Sequence, residues 1–168
     1  MRPTLQDFER WVRNGHPIGQ GATRWVYDLG DHVAKMPRYT TDPKTKSRSE
    51  QSEKELEVFQ NCPDEFLYLI CPIVDHYYVS DTLIVIMPKM KIIGKEEKKE
   101  LRGHQVGKEM RLETYYRVKG IDASKILEDT DKLFKMFNLQ RKEVLNNTAN
   151  WGLNGSQVKY IDYGYTGA

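Results

Sequence analysis

The stretch "IGQGATRWVYDLGDHVAKM", residues 18–36, decides how the rest of the chain is read. Glycines punctuate short runs rich in Val, Trp and Tyr, and Gly30-Asp31 separates "TRWVYDLG" from "DHVAKMP", so the pattern predicts strand, turn, strand. Gly19 and Gly21 lack a Cβ. Backbone N–H groups there can approach a ligand closely and cradle an anion, although Gly-x-Gly is also an ordinary hairpin turn. Lys35 sits among Val33, Ala34 and Met36, and strand alternation points it to the face opposite Ala34. An ammonium near a core needs an anionic partner. Glu55, on the apolar-looking face of the next helical stretch, supplies one. The pair fits a structural ion pair, a snorkelling lysine or a ligand-binding lysine.

Working outward, "MRPTLQDFERWVRNG" predicts a short N-terminal helix with Leu5, Phe8 and Trp11 or Val12 on one face, and it lacks the apolar core of a signal peptide. "TTDPKTKSRSEQ" reads as a polar loop. "SEQSEKELEVFQNC" reads as a helix with Ser52, Glu55, Leu56 and Phe59 on one face. "LYLICPIVDHYYVS" and "TLIVIMPKM" predict a two-stranded hairpin about Ser80-Asp81. "GKEEKKELRGHQVGKEMR" carries both charge signs and reads as a solvated connection or an exposed helix. "DASKILEDTDKLFKMF" predicts an amphipathic helix anchored by Ile126, Leu127, Leu133, Phe134 and Phe137, capped by Asp122 or Ser124. "NNTANWGLNGSQVKYIDYGYTGA" predicts a loop, a strand, a Gly turn and a second strand. Asn150 and Asp162 flank that hairpin; their oxygens suit a hard cation, or their own turn backbone.

Composition bounds the function. The 168 residues suit one domain or two small lobes, and a formal charge of +2 gives no electrostatic footprint for nucleic acid. Cys62 and Cys71 make no disulfide framework and lack metal-ligand spacing with His16, His32, His76 or His104, which reads as two reduced thiols in a cytoplasmic protein. No apolar run approaches the ~20 residues of a membrane span.

In order, "IGQGATRWVY", "VAKM", "EKELEVF", "NNTANWGL" and "IDYG" resemble the glycine-rich loop, lysine strand, acidic helix residue, catalytic-loop Asn and Asp-x-Gly turn of the protein-kinase-like family. The resemblance runs from Pro17 to Met90 and, more loosely, from Lys125 to Gly164. It implies an α+β fold: a kinase-like N-terminal lobe of antiparallel sheet plus one helix over residues 1–90, and a much reduced C-terminal lobe over 91–168. It implies ATP and Mg²⁺ as cofactors. Gly19 and Gly21 would lie over the phosphates. Lys35 would pair the α- and β-phosphates and be held by Glu55, chosen over Glu53 and Glu57. Ile86 to Met90, with Met87 and Met90, would flank adenine, and Asn150 and Asp162 would hold the metal. Lys35 and Asp162 are the expected catalytic residues.

Three departures qualify the resemblance. Arg24 replaces the third loop glycine, either to touch phosphate or to stiffen the strand. Counting back from Asn150, Leu145 stands where the family has its proton-accepting aspartate and Glu143 where it has histidine; Glu143 or Asn146 acting instead would need another register. The 168 residues carry no activation segment, no Ala-Pro-Glu motif and no large helical lobe. That fits a naturally minimal kinase fold, as in small phage and bacterial proteins of this type (then in the host cytoplasm), or a piece of a longer chain. Any substrate would be held by the Lys91–Lys119 region or by a partner. The expectations are therefore an ATP-dependent phosphotransferase, a pseudokinase acting as a scaffold for a protein partner, or an α+β domain with accidental motifs.

Overall fold

The computed structural model describes residues 4–14, 17, 19–20, 24–37, 49–79 and 82–166. The chain divides into two compact units, Met1–Phe59 with Pro72–Lys89, and Gln60–Cys71 with Met90–Ala168. The architecture is α+β, with an antiparallel sheet and several helices.

The first unit opens with helix α1 (Leu5–Asn14), where the sequence places a helix. Its apolar face, Leu5, Phe8, Trp11 and Val12, lies outside the described side chains. Strands β1 (Gly19–Gln20), β2 (Arg24–Asp28) and β3 (His32–Pro37) follow, then helix α2 (Ser49–Asn61), then β4 (Asp75–Val79) and β5 (Thr82–Pro88). The five strands lie in the order β1-β2-β3-β5-β4, every neighbouring pair antiparallel. Gly30 makes the β2–β3 turn at φ 94°, a conformation that favours glycine. Its N–H donates to the Asp28 carboxylate at 2.9 Å. The loop expected at 40–51 falls largely on residues outside the description.

Register explains the two faces of this sheet. Tyr27 pairs Ala34 and Ala34 pairs Ile86, so these residues share one face, where Tyr27, Ala34, Met36, Ile84 and Ile86 form a buried cluster. Val26 pairs Lys35 and Lys35 pairs Val85, which puts Lys35 on the opposite face, as alternation requires. Strand β5 has neighbours on both sides, and Leu83 through Met87 are all buried; hence its unbroken run of apolar, mostly β-branched residues.

One expected strand is shorter than predicted. The first three residues of "LYLICPIVDHYYVS" close a 3-10 helix, Asp64–Leu69, and ladder pairing begins only at Asp75. Pro63 stands at the start of that turn, and Pro72, which has no N–H for a ladder, follows it.

The second unit is mainly helical: α3 (Lys95–His104), α4 (Arg111–Val118), α5 (Ser124–Phe137) and α6 (Arg141–Asn146), then a hairpin of β6 (Trp151–Asn154) and β7 (Gln157–Tyr160). The mixed-charge stretch becomes the exposed helix α3, which buries Leu101, and a loop over 105–110. Helix α4 is not among the expected elements, although Leu112, Tyr115 and Tyr116 have helical spacing and are buried. The amphipathic helix α5 forms as expected. Asp122 rather than Ser124 is the acceptor at its start, taking the Ser124 N–H at 3.0 Å and hydroxyl at 2.6 Å. Its C-terminus ends on Asn138 in the left-handed region, φ 55°. Helix α6 is not among the expected elements; it ends at Asn146, where the expected loop begins.

A candidate nucleotide and cation site

Lys35 and Glu55 are brought together in the first unit. Lys35 Nζ stands 3.5 Å from Glu55 Oε1, and both side chains are buried, at 4% and 0% exposure. Glu53 and Glu57, the alternatives on α2, are exposed, because the buried face of that helix runs through Ser52, Glu55 and Leu56. Met87 lies two residues beyond Val85, and so on the same sheet face as Lys35. Gly19 pairs Val26 as part of β1; Gly21 lies outside the described residues.

Arg24 neither points at solvent nor merely stiffens β2. Its guanidinium forks onto Glu55, Nη1 donating to Oε1 at 3.0 Å and Nη2 to Oε2 at 2.9 Å, and Nη1 also reaches Ser52 Oγ at 3.3 Å. Arg24 is 3% exposed. The register of β2 against β3 accounts for this. Arg24 is two residues from Val26, which pairs Lys35, so Arg24 and Lys35 are diagonal neighbours on the face that meets α2.

In the second unit the tail hairpin brings Asn150 beside Ile161 and Asp162. The Ile161 N–H donates to the Asn150 carbonyl at 2.9 Å, extending the Trp151–Tyr160 rung by one step. Buried side chains pin this end. Trp151 Nε1 donates to the Val144 carbonyl at 2.8 Å, Tyr160 and Thr130 share a 2.8 Å hydroxyl contact, and Tyr163 donates to the Cys71 carbonyl at 2.9 Å. Burial pushes the Tyr160 phenol well above its ordinary pKa. Asn150 Nδ2 donates to the Glu143 carbonyl at 3.3 Å, which turns the amide oxygen away from that bond. An amide and a carboxylate both offer the oxygen donors that hard cations take. Among the described residues no group of three or more His, Cys, Asp or Glu could hold a metal ion by itself.

Leu145 is wholly buried in α6 and belongs to the core. Glu143 is exposed on the same helix and accepts Asn147 Nδ2 at 3.2 Å. With Gln105, Arg111, Asn146 and Asn147 it lines a polar cleft of ≈ 420 Å³. Met90 is half-buried and packs on Gly152. Neither Cys62 nor Cys71 forms a disulfide. No described helix is long and apolar enough to cross a membrane.

No protein-family model matches the sequence, and no curated protein matches it significantly. Solved structures do. A crystal structure of WbdD superposes with a TM-score of 0.54 at 14% identity, covering 89% of this chain and 32% of that one. A co-crystal structure of WbdD with the kinase inhibitor LY294002 gives 0.50 at 16% identity, over 86% and 31%. A structure of the bifunctional kinase-methyltransferase WbdD gives 0.49 at 17% identity, over 84% and 29%. The chain thus spans about a third of the length of these structures. At such identities the likeness is one of fold, shared with part of a protein that has been crystallised with a kinase inhibitor.

Proposed function

We propose that this chain is a kinase-like protein that binds MgATP and has phosphotransfer capacity. The observation that carries the reading is the buried pairing of Lys35 with Glu55 across 3.5 Å, on a fold shared with part of WbdD. Burying an ammonium and a carboxylate is costly, and an apolar pair would serve stability as well, so a use for the charge accounts for keeping it. In this reading Lys35 contacts the α- and β-phosphates and Glu55 holds it in place. Gly19 and Gly21 cover the phosphates, and Met87 and Met90 flank adenine. Asn150 and Asp162 hold Mg²⁺, which when bound neutralises charge on the transferring phosphoryl group.

A second reading is favoured by one observation, the complete burial of Leu145. Leucine takes no proton, so the chain would be a pseudokinase that works through a protein partner. Phosphoryl transfer rests largely on positioning and charge stabilisation, so slow transfer survives the loss of that base.

A thermal-shift titration of the purified chain with ATP, with and without Mg²⁺, tests the proposal. At a ligand concentration of about 100 Kd the native state gains ~2.7 kcal/mol. That corresponds to a rise in Tm of roughly 5–10 °C for a chain of this size. A rise that needs both ATP and Mg²⁺ supports the reading; no rise at millimolar ATP refutes nucleotide binding and leaves the scaffold.

A further inference from the structure

Glu55 has two buried cationic partners, and they do not hold it equally. Arg24 spans both carboxylate oxygens at 3.0 and 2.9 Å, whereas Lys35 stands at 3.5 Å from Oε1. Charge-assisted N–H···O bonds are strongest near 2.7–2.9 Å, and a guanidinium matched to a carboxylate fork is pre-organised in a way an ammonium is not. The pairing is also anchored at a second point, because Arg24 Nη1 reaches Ser52 Oγ one turn earlier on α2. Glu55 is 0% exposed, so it must keep a cationic partner whatever Lys35 does.

We infer that Arg24 is a positioning residue for Lys35: by holding Glu55 in a bidentate pair, it lets Lys35 turn from Glu55 to an anionic ligand without stranding a buried carboxylate. The inference rests on the nucleotide reading above and adds to it the device that sets the availability of its lysine. With a lone Lys–Glu pair, each step of Lys35 toward phosphate would be opposed by the carboxylate left behind. With Arg24 in place that opposition falls, and Glu55 acts as a tether rather than a competitor.

The test measures MgATP affinity of the folded 168-residue chain by isothermal titration calorimetry, alongside urea unfolding of each variant. Arg24→Met leaves Lys35 to answer Glu55, and MgATP should bind about tenfold or more weakly, the scale of one lost charge-assisted bond. Arg24→Lys, which keeps the charge but not the fork, should lie between. Adding Glu55→Gln to Arg24→Met removes the carboxylate that retains Lys35, and should recover most of the lost affinity. That double variant also takes the Glu55 carboxylate from the buried Lys35 ammonium, so its urea midpoint is measured first and its affinity is read on the folded protein. A merely structural Arg24 would lower the urea midpoint and leave the affinity of the folded protein unchanged. Unchanged affinity in Arg24→Met, with affinity lost in Lys35→Ala, overturns the role of Arg24 alone. A double variant no tighter than Arg24→Met also overturns it. Absence of MgATP binding by the wild-type chain overturns the nucleotide reading and this inference with it.

Discussion

Gly152→Ala probes whether the tail hairpin fixes the candidate cation-holding residues. Gly152 is buried in β6, next to Trp151 and two residues after Asn150. A Cβ there would stand 2.7 Å from Met90 Cβ, 2.7 Å from Met90 Sδ and 2.8 Å from Ile161 Cγ2. Non-bonded carbons rest at roughly 3.5–4.0 Å, so each contact is short by about 1 Å. The Met90 sulfur can swing aside, but the Met90 Cβ moves only with its backbone, and the β-branched Ile161 is stiff at χ1. Overpacking of this kind costs ~1–3 kcal/mol. The smaller entropy of the unfolded alanine chain returns ~0.4–1 kcal/mol. The net expectation is a loss of up to ~2.6 kcal/mol, centred near ~1.3 kcal/mol, or a Tm lower by up to about 10 °C.

The control is Gly103→Ala, on exposed helix α3, where a Cβ meets nothing within 4 Å. There only the helix-propensity gain remains, and stability should rise by up to about 1 kcal/mol. Urea unfolding followed by tryptophan fluorescence compares the two. Because the Ile161 N–H holds the Asn150 carbonyl and Ile161 precedes Asp162, a displaced Ile161 would also disturb the proposed cation-holding residues, and under that proposal the Mg²⁺ dependence of any ATP thermal shift should weaken. If Gly152→Ala is as stable as the wild type, or moves in step with Gly103→Ala, the packing account of the hairpin is wrong.

Three further outcomes follow from the same geometry. Lys35→Ala should abolish the ATP-induced rise in Tm, and Asp162→Ala should abolish its Mg²⁺ requirement; a rise unaffected by either places the nucleotide elsewhere. Leu145→Asp should fail to create transfer and instead lower stability by about 3 kcal/mol or more, since it puts a carboxylate where a leucine is 0% exposed; a stable, transferring variant would overturn the assignment of Leu145 to the core. The Asp129 carboxyl is held below its ordinary 3.8 by the Tyr68 hydroxyl, at 2.5 Å, and by Lys125, at 3.0 Å. Its folded pKa is depressed, so its contribution is complete above pH 3.8 and lost as the pH falls through the lower folded value. The stability gap between wild type and Asp129→Asn should therefore be open at pH 7 and close below about pH 3.8; a gap independent of pH refutes the linkage.

The periodicity that was easiest to read belongs to elements whose faces differ most. Strand β3 alternates Lys35 against Ala34, and α5 lines up Leu133, Phe134 and Phe137, so sequence spacing reports them directly. Helix α4 was illegible by composition, because Thr114, Tyr115, Tyr116 and Val118 are β-prone and only their spacing is helical. The Asp64–Leu69 turn was masked by an apolar run that continues into Ile70 and Cys71; burial, not strand pairing, accounts for that run. At the candidate site the Lys35–Glu55 partnership could be anticipated from one strand and one helix face. The fork from Arg24 needed the register of β2 against β3, which fixes which residues share a face and which a motif read along the chain does not contain.

Arg24 and Leu145 depart from the kinase pattern in opposite physical senses, and that difference separates binding from transfer. At Leu145 a carboxylate is replaced by an apolar side chain that packs fully, which gains stability and forfeits only a proton acceptor. At Arg24 a glycine is replaced by a buried cation that enlarges a charged cluster. Well-packed apolar residues in place of Lys35, Glu55 and Arg24 would stabilise such a sheet at least as well. Stability alone therefore gives no reason for this cluster, and the proposed anionic ligand would supply one. Acceptor deprotonation is a separate matter that nucleotide binding does not require. In the second unit the exposed carboxylate nearest in sequence to the buried Leu145 is Glu143, on the polar cleft and hydrogen-bonded through its carbonyl to Asn150. Loss of transfer in Glu143→Gln with MgATP affinity intact would assign it the proton, whereas transfer unchanged by that substitution would show that the chain phosphorylates, if slowly, by positioning alone.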